Sequence, residues 1–271
     1  MKAPFLLLLT AMSFVACKKN GTPDTTPKVY DSTPSPLMQK TVIELDAYHK
    51  DSGWLQLPTH YNSGFDTKKY PLLIFYNGRY EGSKYGDLSL MKTVGVPKFM
   101  ASSRFSFNVR GEDQEFIVLC PQSYNGTISP IATNQIIDYM VKQYRVDVSR
   151  VYLTGVSSGA SSIISYLTDN QNYANRIAAI VPMSIITVET EKVANLKYIS
   201  NASVHTKIFC GNADTEFKEN KSYVDIINRY RSGLAIFTSY VGGHGSWNNI
   251  YNPTHKYYNP NIYEWMLQYH N

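Results

Sequence analysis

The runs "LLIFY" at 72–76, "FIVLC" at 116–120, "VYLT" at 151–154, "AAIVPM" at 178–183, "KIFC" at 207–210 and "IFTSY" at 236–240 limit the folds open to this chain more than anything else in it. Each is too short for a stable helix. Several are continuously apolar instead of alternating, the pattern of strands covered on both faces. Between them, Ile136, Ile137, Met140, Val141 and Tyr144 recur at helical spacing. So do Tyr223, Ile226, Ile227 and Tyr230, stopped by Gly233, and finally Ile262, Trp265, Met266 and Tyr269. Strand-like and helix-like segments in alternation predict the α/β class, with a mostly parallel central sheet and helices on both faces. A chain of 271 residues is long enough to bury one such core, and no internal repeat divides it.

The formal net charge of +5 is modest and spread along the chain, without a lysine- or arginine-rich run that could track phosphates. Nucleic acid is therefore not an expected partner. No metal-ligand spacing and no glycine-rich nucleotide loop occurs, so neither a metal nor another cofactor is expected.

The start of the chain reads as a targeting segment: Lys2 is followed by the apolar stretch "PFLLLLTAMSFV" at 4–15, then by Ala16 and Cys17. The apolar stretch is too short to span a bilayer. A cysteine directly after a small residue resembles the lipobox of bacterial lipoproteins, although Phe14 replaces the usual leucine there. This likeness implies a signal peptide over 1–16, lipidation of Cys17 and a lipid-anchored cell-envelope location; a plain secretory signal is the alternative. Residues 17–40 are rich in Thr, Pro and Ser and are expected to form a disordered tether, leaving 41–271 as a single catalytic domain. Cys120 and Cys210 each close an apolar run and are expected to be buried and unpaired.

Within "VYLTGVSSGA" at 151–160, a strand-like run passes at once into Gly155-Val156-Ser157-Ser158-Gly159 and then into the helix-forming "SSIISYLTDN". This is the G-x-S-x-G pattern in the strand–turn–helix setting of a nucleophile elbow, where a serine is held on a sharp turn. Small residues flank it because a side chain there would strike the neighbouring strand or helix. Ser157 is the expected nucleophile, with the adjacent hydroxyl of Ser158 as its rival and the backbone N–H of Ser158 as an oxyanion donor.

A serine nucleophile needs a base and an acid. His244 lies in the glycine-rich loop of "TSYVGGHGSWNNIY" after the last strand, and Asp214 follows the Lys207–Cys210 run in "KIFCGNADTEF". The chain order Ser157, Asp214, His244 is that of the elbow-bearing hydrolases. An aspartate at such a place also serves as a turn or cap residue, and a histidine between glycines also serves as loop surface. His255 is the next candidate base, and Glu216, Glu219 and Asp225 are the nearby acids.

Taken together, these segments resemble the α/β-hydrolase superfamily. Within it they are similar to the secreted carboxylesterase, polyhydroxyalkanoate-depolymerase and feruloyl-esterase-like group. The likeness runs from about Gly53 onward, through "GWLQLPTHYNSGFDTKKYPLLIFYNG", "VDVSRVYLTGVSSGA", "CGNADTEF" and "GGHGSWNNIY". It implies a serine esterase acting on carboxylic esters through an acyl-enzyme; export and loop aromatics add acetyl or feruloyl esters on carbohydrate as expected substrates. It also implies that the Arg79 backbone N–H is the second oxyanion donor. The group commonly has His-Gly where this chain has Asn77-Gly78, which bears on the shape of that loop. Tyr80, Tyr85, Tyr124, Trp247 and Tyr251 fall in loops expected at the same face, where rings can stack on a sugar or aromatic substrate; scattered aromatics are the alternative in a chain with 22 tyrosines. A small-peptide peptidase and a non-catalytic surface lipoprotein remain open beside the esterase, as does the oligomeric state.

Overall fold

The computed structural model describes residues 33–271, apart from 47–48, 63–66, 85, 124–125, 187 and 255–257. The signal segment 1–16, Cys17, Tyr85, Tyr124 and His255 therefore lie outside the described residues.

In chain order the strands are β1 (Gln39–Glu44), β2 (Lys50–Gln56), β3 (Tyr70–Tyr76), β4 (Ser106–Val109), β5 (Glu112–Glu115), β6 (Ile117–Pro121), β7 (Val146–Val156), β8 (Ala179–Met183), β9 (His205–Gly211) and β10 (Ala235–Tyr240). The helices are α1 (Gly95–Met100), α2 (Pro130–Gln143), α3 (Ser158–Asp169), α4 (Gln171–Ala174), α5 (Thr190–Ala194), α6 (Lys197–Asn201), α7 (Phe217–Tyr230), α8 (Asn248–Tyr251) and α9 (Ile262–Met266). All strands but β4 and β5 join one eight-stranded sheet in the order β1-β2-β6-β3-β7-β8-β9-β10. From β6 to β10 neighbouring strands run parallel, and β1 and β2 add an antiparallel edge. The expected α/β class with a mostly parallel sheet is what is found.

The apolar runs lie where their continuous hydrophobicity demands, with both faces of the sheet covered. Successive residues of β3 alternate between two cores: Leu72, Ile74 and Tyr76 pack with Ile136, Met140, Ile163 and Ile227 on one side. Leu73 and Phe75 pack with Met100, Trp265 and Met266 on the other. Helix α2 starts at Ser129, whose side chain accepts the Ala132 N–H, with Pro130 at its first position. The Asn261 side chain opens α9 through a capping box with Glu264. That helix ends at Met266, so Tyr269 lies beyond it and stacks on the His205 ring instead.

One expectation is corrected. The tether does not extend to residue 40: Ser35 is buried, its N–H donates to the Thr59 carbonyl, and its carbonyl accepts the Arg104 guanidinium. Gln39 and Lys40 already belong to β1, paired with Leu55 and Trp54. The antiparallel hairpins were also not foreseen. β4 and β5 join through Arg110 and Gly111, both at positive φ, but "EDQE" carries no apolar alternation to mark it as a strand. Cys120 and Cys210 are buried free thiols as expected.

Chain connectivity turns around at β3, which is flanked by β6 on one side and β7 on the other. Open α/β sheets bind ligands at the carboxyl ends of strands where connectivity reverses in this way.

Candidate active site

Ser157 directly follows β7, between it and α3, with φ 54° and ψ −122°. Such a backbone is costly for a residue with a Cβ, on the order of 1–3 kcal/mol, and persists only where its surroundings hold it. Here the Ser157 N–H donates to the Met183 carbonyl of β8, and α3 begins on the next residue. The flanking glycines are required by close approach: a Cβ at Gly155 would lie 2.8 Å from the Tyr76 carbonyl oxygen. One at Gly159 would lie 2.4 Å from that oxygen and 2.5 Å from the Asn77 oxygen.

The structure brings the predicted base and acid to this serine. His244 Nε2 is 2.9 Å from Ser157 Oγ, and His244 Nδ1 is 3.0 Å from Asp214 Oδ2. Asp214 is fully buried in its side chain, whereas the imidazole is 40% exposed and so accessible to a substrate. The two loops meet because β9 and β10 are parallel neighbours whose carboxyl ends are tied together. The Asn212 N–H donates to the Tyr240 carbonyl, the Ala213 N–H to the Gly242 carbonyl, and the Gly242 N–H to Asn212 Oδ1. Gly211 permits this approach, since a Cβ there would lie 2.4 Å from the Gly242 oxygen.

Burial pushes the Asp214 carboxyl up, but hydrogen bonds from Ser184, the Glu216 N–H and His244 outweigh it and hold the group below its ordinary range. It is thus a carboxylate aimed at the imidazole. Ser184, at positive φ directly after β8, had no place in the sequence reading; it also shares a hydrogen bond with the Tyr240 hydroxyl. Its loop is held by the buried Asn220 of α7, which bonds both the N–H and the carbonyl of Ile185. A polar residue just past the "AAIVPM" run was the available signal for Ser184. Nearby Cys210 is pushed up to about 12 by burial and then by the Asp214 carboxylate, which keeps it a thiol.

Beside Ser157 runs the loop after β3. A Cβ on Gly78 would lie 3.7 Å from Ser157 Cβ, so the backbone here lies against the nucleophile. Asn77 is fully buried. It shapes the loop by donating to the Gly78 carbonyl and accepting from the N–H and hydroxyl of Ser123. Burial raises the Glu81 carboxyl above its ordinary range, against hydrogen bonds from its own N–H and that of Gly78. The backbone N–H groups of Arg79 and Ser158 donate to no described residue.

A cleft of about 310 Å³ opens on this side, lined by Arg79, Ile128, Ser158, Ser161, Ile186 and Val188 among others; His244 and Trp247 do not line it. The aromatic residues proposed for substrate contact are placed differently from one another. Tyr80 is 68% exposed and free to meet a ligand, whereas Trp247 is buried and packs edge-on against the His244 ring at 5.1 Å. Trp247 is therefore corrected from a substrate platform to a support for the imidazole. Tyr251 is a core residue: it is fully buried, its hydroxyl bonds Thr154 Oγ1, and its ring meets Phe75 edge-on. Of the nearby acids, Glu216 donates its N–H to Asp214, Glu219 accepts from the Tyr223 hydroxyl, and Asp225 pairs with Lys221. None of the three pairs with His244. Among the described residues no cluster of His, Cys, Asp and Glu has the arrangement of a metal site.

The sheet order together with a serine elbow after β7 and strand-end loops carrying Asp and His defines the α/β-hydrolase fold. No protein-family model matches the chain, and a search of curated proteins finds no match. The likeness is structural. The chain is similar to a thermostable esterase at 18% identity and a TM-score of 0.59, over 86% of this chain and 63% of that one. It is similar to an esterase from Pyrobaculum calidifontis at 11% identity and a TM-score of 0.56, over 85% and 82% of the two chains. Dipeptidyl peptidase 4 of Porphyromonas gingivalis matches at 14% identity and a TM-score of 0.57, over 87% of this chain and 36% of that one. The chain thus spans less than two thirds of the thermostable esterase and about a third of the peptidase. At these identities the likeness establishes the α/β-hydrolase fold.

Proposed function

We propose that this protein is a serine hydrolase that cleaves carboxylic esters, with Ser157 as nucleophile, His244 as base and Asp214 as its orienting acid. The observation that carries this reading is the continuous chain from Ser157 Oγ through both imidazole nitrogens to a buried carboxylate. As Ser157 Oγ attacks the ester carbonyl carbon, its proton passes to His244 Nε2 and the C=O electron pair moves onto oxygen. That oxyanion is met by the N–H groups of Arg79 and Ser158. Collapse expels the alcohol, which takes the proton from Nε2, and leaves an acyl group on Ser157. Water, deprotonated by the same imidazole, then attacks the acyl-enzyme, and release of the acid restores the serine. Asp214 accepts the Nδ1 hydrogen throughout and favours the cationic imidazole without itself taking the proton.

A small-peptide peptidase would use the same residues, and the structural likeness to a dipeptidyl peptidase supports keeping it as the second reading. Purified protein should hydrolyse p-nitrophenyl acetate and longer acyl esters far better than peptide anilides. The panel includes acetyl and feruloyl esters of carbohydrate, the class that export and an exposed Tyr80 favour. A fluorophosphonate should label Ser157, and the label should vanish in Ser157→Ala; label lost only in Ser158→Ala would overturn the assignment. Turnover of anilides alone would replace the esterase with the peptidase, and no turnover or label at all would leave a binding protein.

We further propose that the chain is lipidated on Cys17 and anchored in the cell envelope. In a bacterial host labelled palmitate should enter the protein, and Cys17→Ser should release it to the soluble fraction. Equal solubility of both forms would reduce the segment to a plain signal peptide.

A further inference from the structure

The hydroxyl of Ser158 has no task in the mechanism above. Ser158 is 4% exposed, and its Oγ is buried with no hydrogen-bond partner among the described residues. The other serines of this turn differ: Ser161 Oγ donates to the Ser157 carbonyl and Ser162 Oγ to the Ser158 carbonyl, four residues back in each case. Ser158 cannot do so, because it is the first residue of α3 and no helical turn precedes it.

The hydroxyl lies beside Gly126 and the Arg79 amide. A Cβ built on Gly126 would lie 2.2 Å from Ser158 Oγ and 2.4 Å from the Arg79 nitrogen, so the hydroxyl and that amide flank one point. Gly126 has φ +73° and no side chain to fill the space between them. Ser158 and Arg79 also line the same cleft. A buried hydroxyl without a partner is unfavourable in the free protein, whereas an alanine there would cost nothing of the kind. Such a group is retained at no loss when a charged acceptor appears beside it during turnover.

We propose that the Ser158 side chain is a third oxyanion donor, adding an O–H to the N–H groups of Arg79 and Ser158. It keeps its proton throughout and forms no covalent bond; it donates to the carbonyl oxygen as negative charge gathers there. This rests on the reading of Ser157 as nucleophile.

The test is Ser158→Ala in the full chain, with p-nitrophenyl butyrate as substrate and an alkyl trifluoromethyl ketone as the tetrahedral analogue. Loss of one oxyanion donor lowers kcat by about 100-fold. KM should stay within about twofold, and ketone affinity should fall with kcat, since only the tetrahedral state carries the charge. The melting temperature should be unchanged or higher. Should the alanine variant lose its cooperative melt, Ser158→Cys, of similar shape but a weaker donor, should give the same pattern with roughly tenfold loss. A kcat within threefold of the parent in a folded variant would overturn the proposal. So would a loss confined to esters with hydroxylated acyl groups, which would make the hydroxyl a substrate contact. Fluorophosphonate labelling of Ser157 in both proteins separates these outcomes from failure of the nucleophile assignment, in which neither protein is labelled there.

Discussion

Gly159→Ala sets local and tertiary preferences against each other. Gly159 is the second residue of α3, and replacing a helical glycine by alanine favours the helix by up to about 1 kcal/mol. The new Cβ would lie 2.4 Å and 2.5 Å from the carbonyl oxygens of Tyr76 and Asn77, well inside ordinary contact. Both are backbone atoms at the end of β3, a strand paired on both sides, so neither can swing away as a side-chain tip could. Overpacking of this kind costs about 1–3 kcal/mol, and two backbone contacts this short put it near the upper end, which leaves a net loss of about 2 kcal/mol and a melting temperature lower by about 5 °C. Relief requires α3 to retreat from β3, carrying Ser157 and the Ser158 N–H away from the Arg79 loop. A displacement near 1 Å costs about 100-fold in rate. Urea denaturation followed by fluorescence, with ester turnover on the same sample, measures both. Ser165→Ala on the same helix serves as the control that gains propensity without the collision. A Gly159→Ala protein at least as stable as the parent, with full turnover, would refute the steric reasoning.

Asp214→Asn should fold, lose about four orders of magnitude in kcat and change KM little, as steady-state kinetics would record. Because Asp214 is held below its ordinary range in the folded protein, its ionised form stabilises the fold above about pH 4, and that contribution is lost as pH falls through the folded value. The melting-temperature difference between parent and Asp214→Asn should therefore shrink on acidification below pH 4; a constant gap would contradict the linkage. Glu81 has the opposite sign: its folded value is raised, so its contribution is present at low pH and lost as pH rises. Glu81→Gln should melt higher than the parent at pH 7, and calorimetry should find the gap closing toward pH 4.

Much of this architecture was legible before any coordinates. The apolar runs became β3, β6, β7, β8, β9 and β10, since residues buried on both faces of a sheet need no alternation and leave an unmistakable local mark. The elbow was equally local, because its glycines and serine are contiguous. What escaped was whatever lacks such a mark. The hairpin of β4 and β5 pairs across a two-residue turn, but its second strand is wholly polar, and β1 buries only Ile43, so neither shows an apolar run. Trp247 and Tyr251 are buried rather than at the expected loop surface, because loop residues give no sign of which side of a sheet their rings will enter.

By itself the sequence determined the class of fold and the order of its functional residues, because hydrophobic period and turn chemistry act over a few neighbouring positions. Only the tertiary structure decided that Asp214 is the partner of His244 when Glu216 and Glu219 lie two and five residues away. The parallel register of β9 and β10 brings the two loops together, and Ser184, contributed by a third strand end, supplies the hydrogen bond that helps keep that carboxylate charged in a buried site. The same holds for Ser158, whose hydroxyl is distinguished from its neighbours only by what Gly126 and Arg79, remote in the chain, place around it.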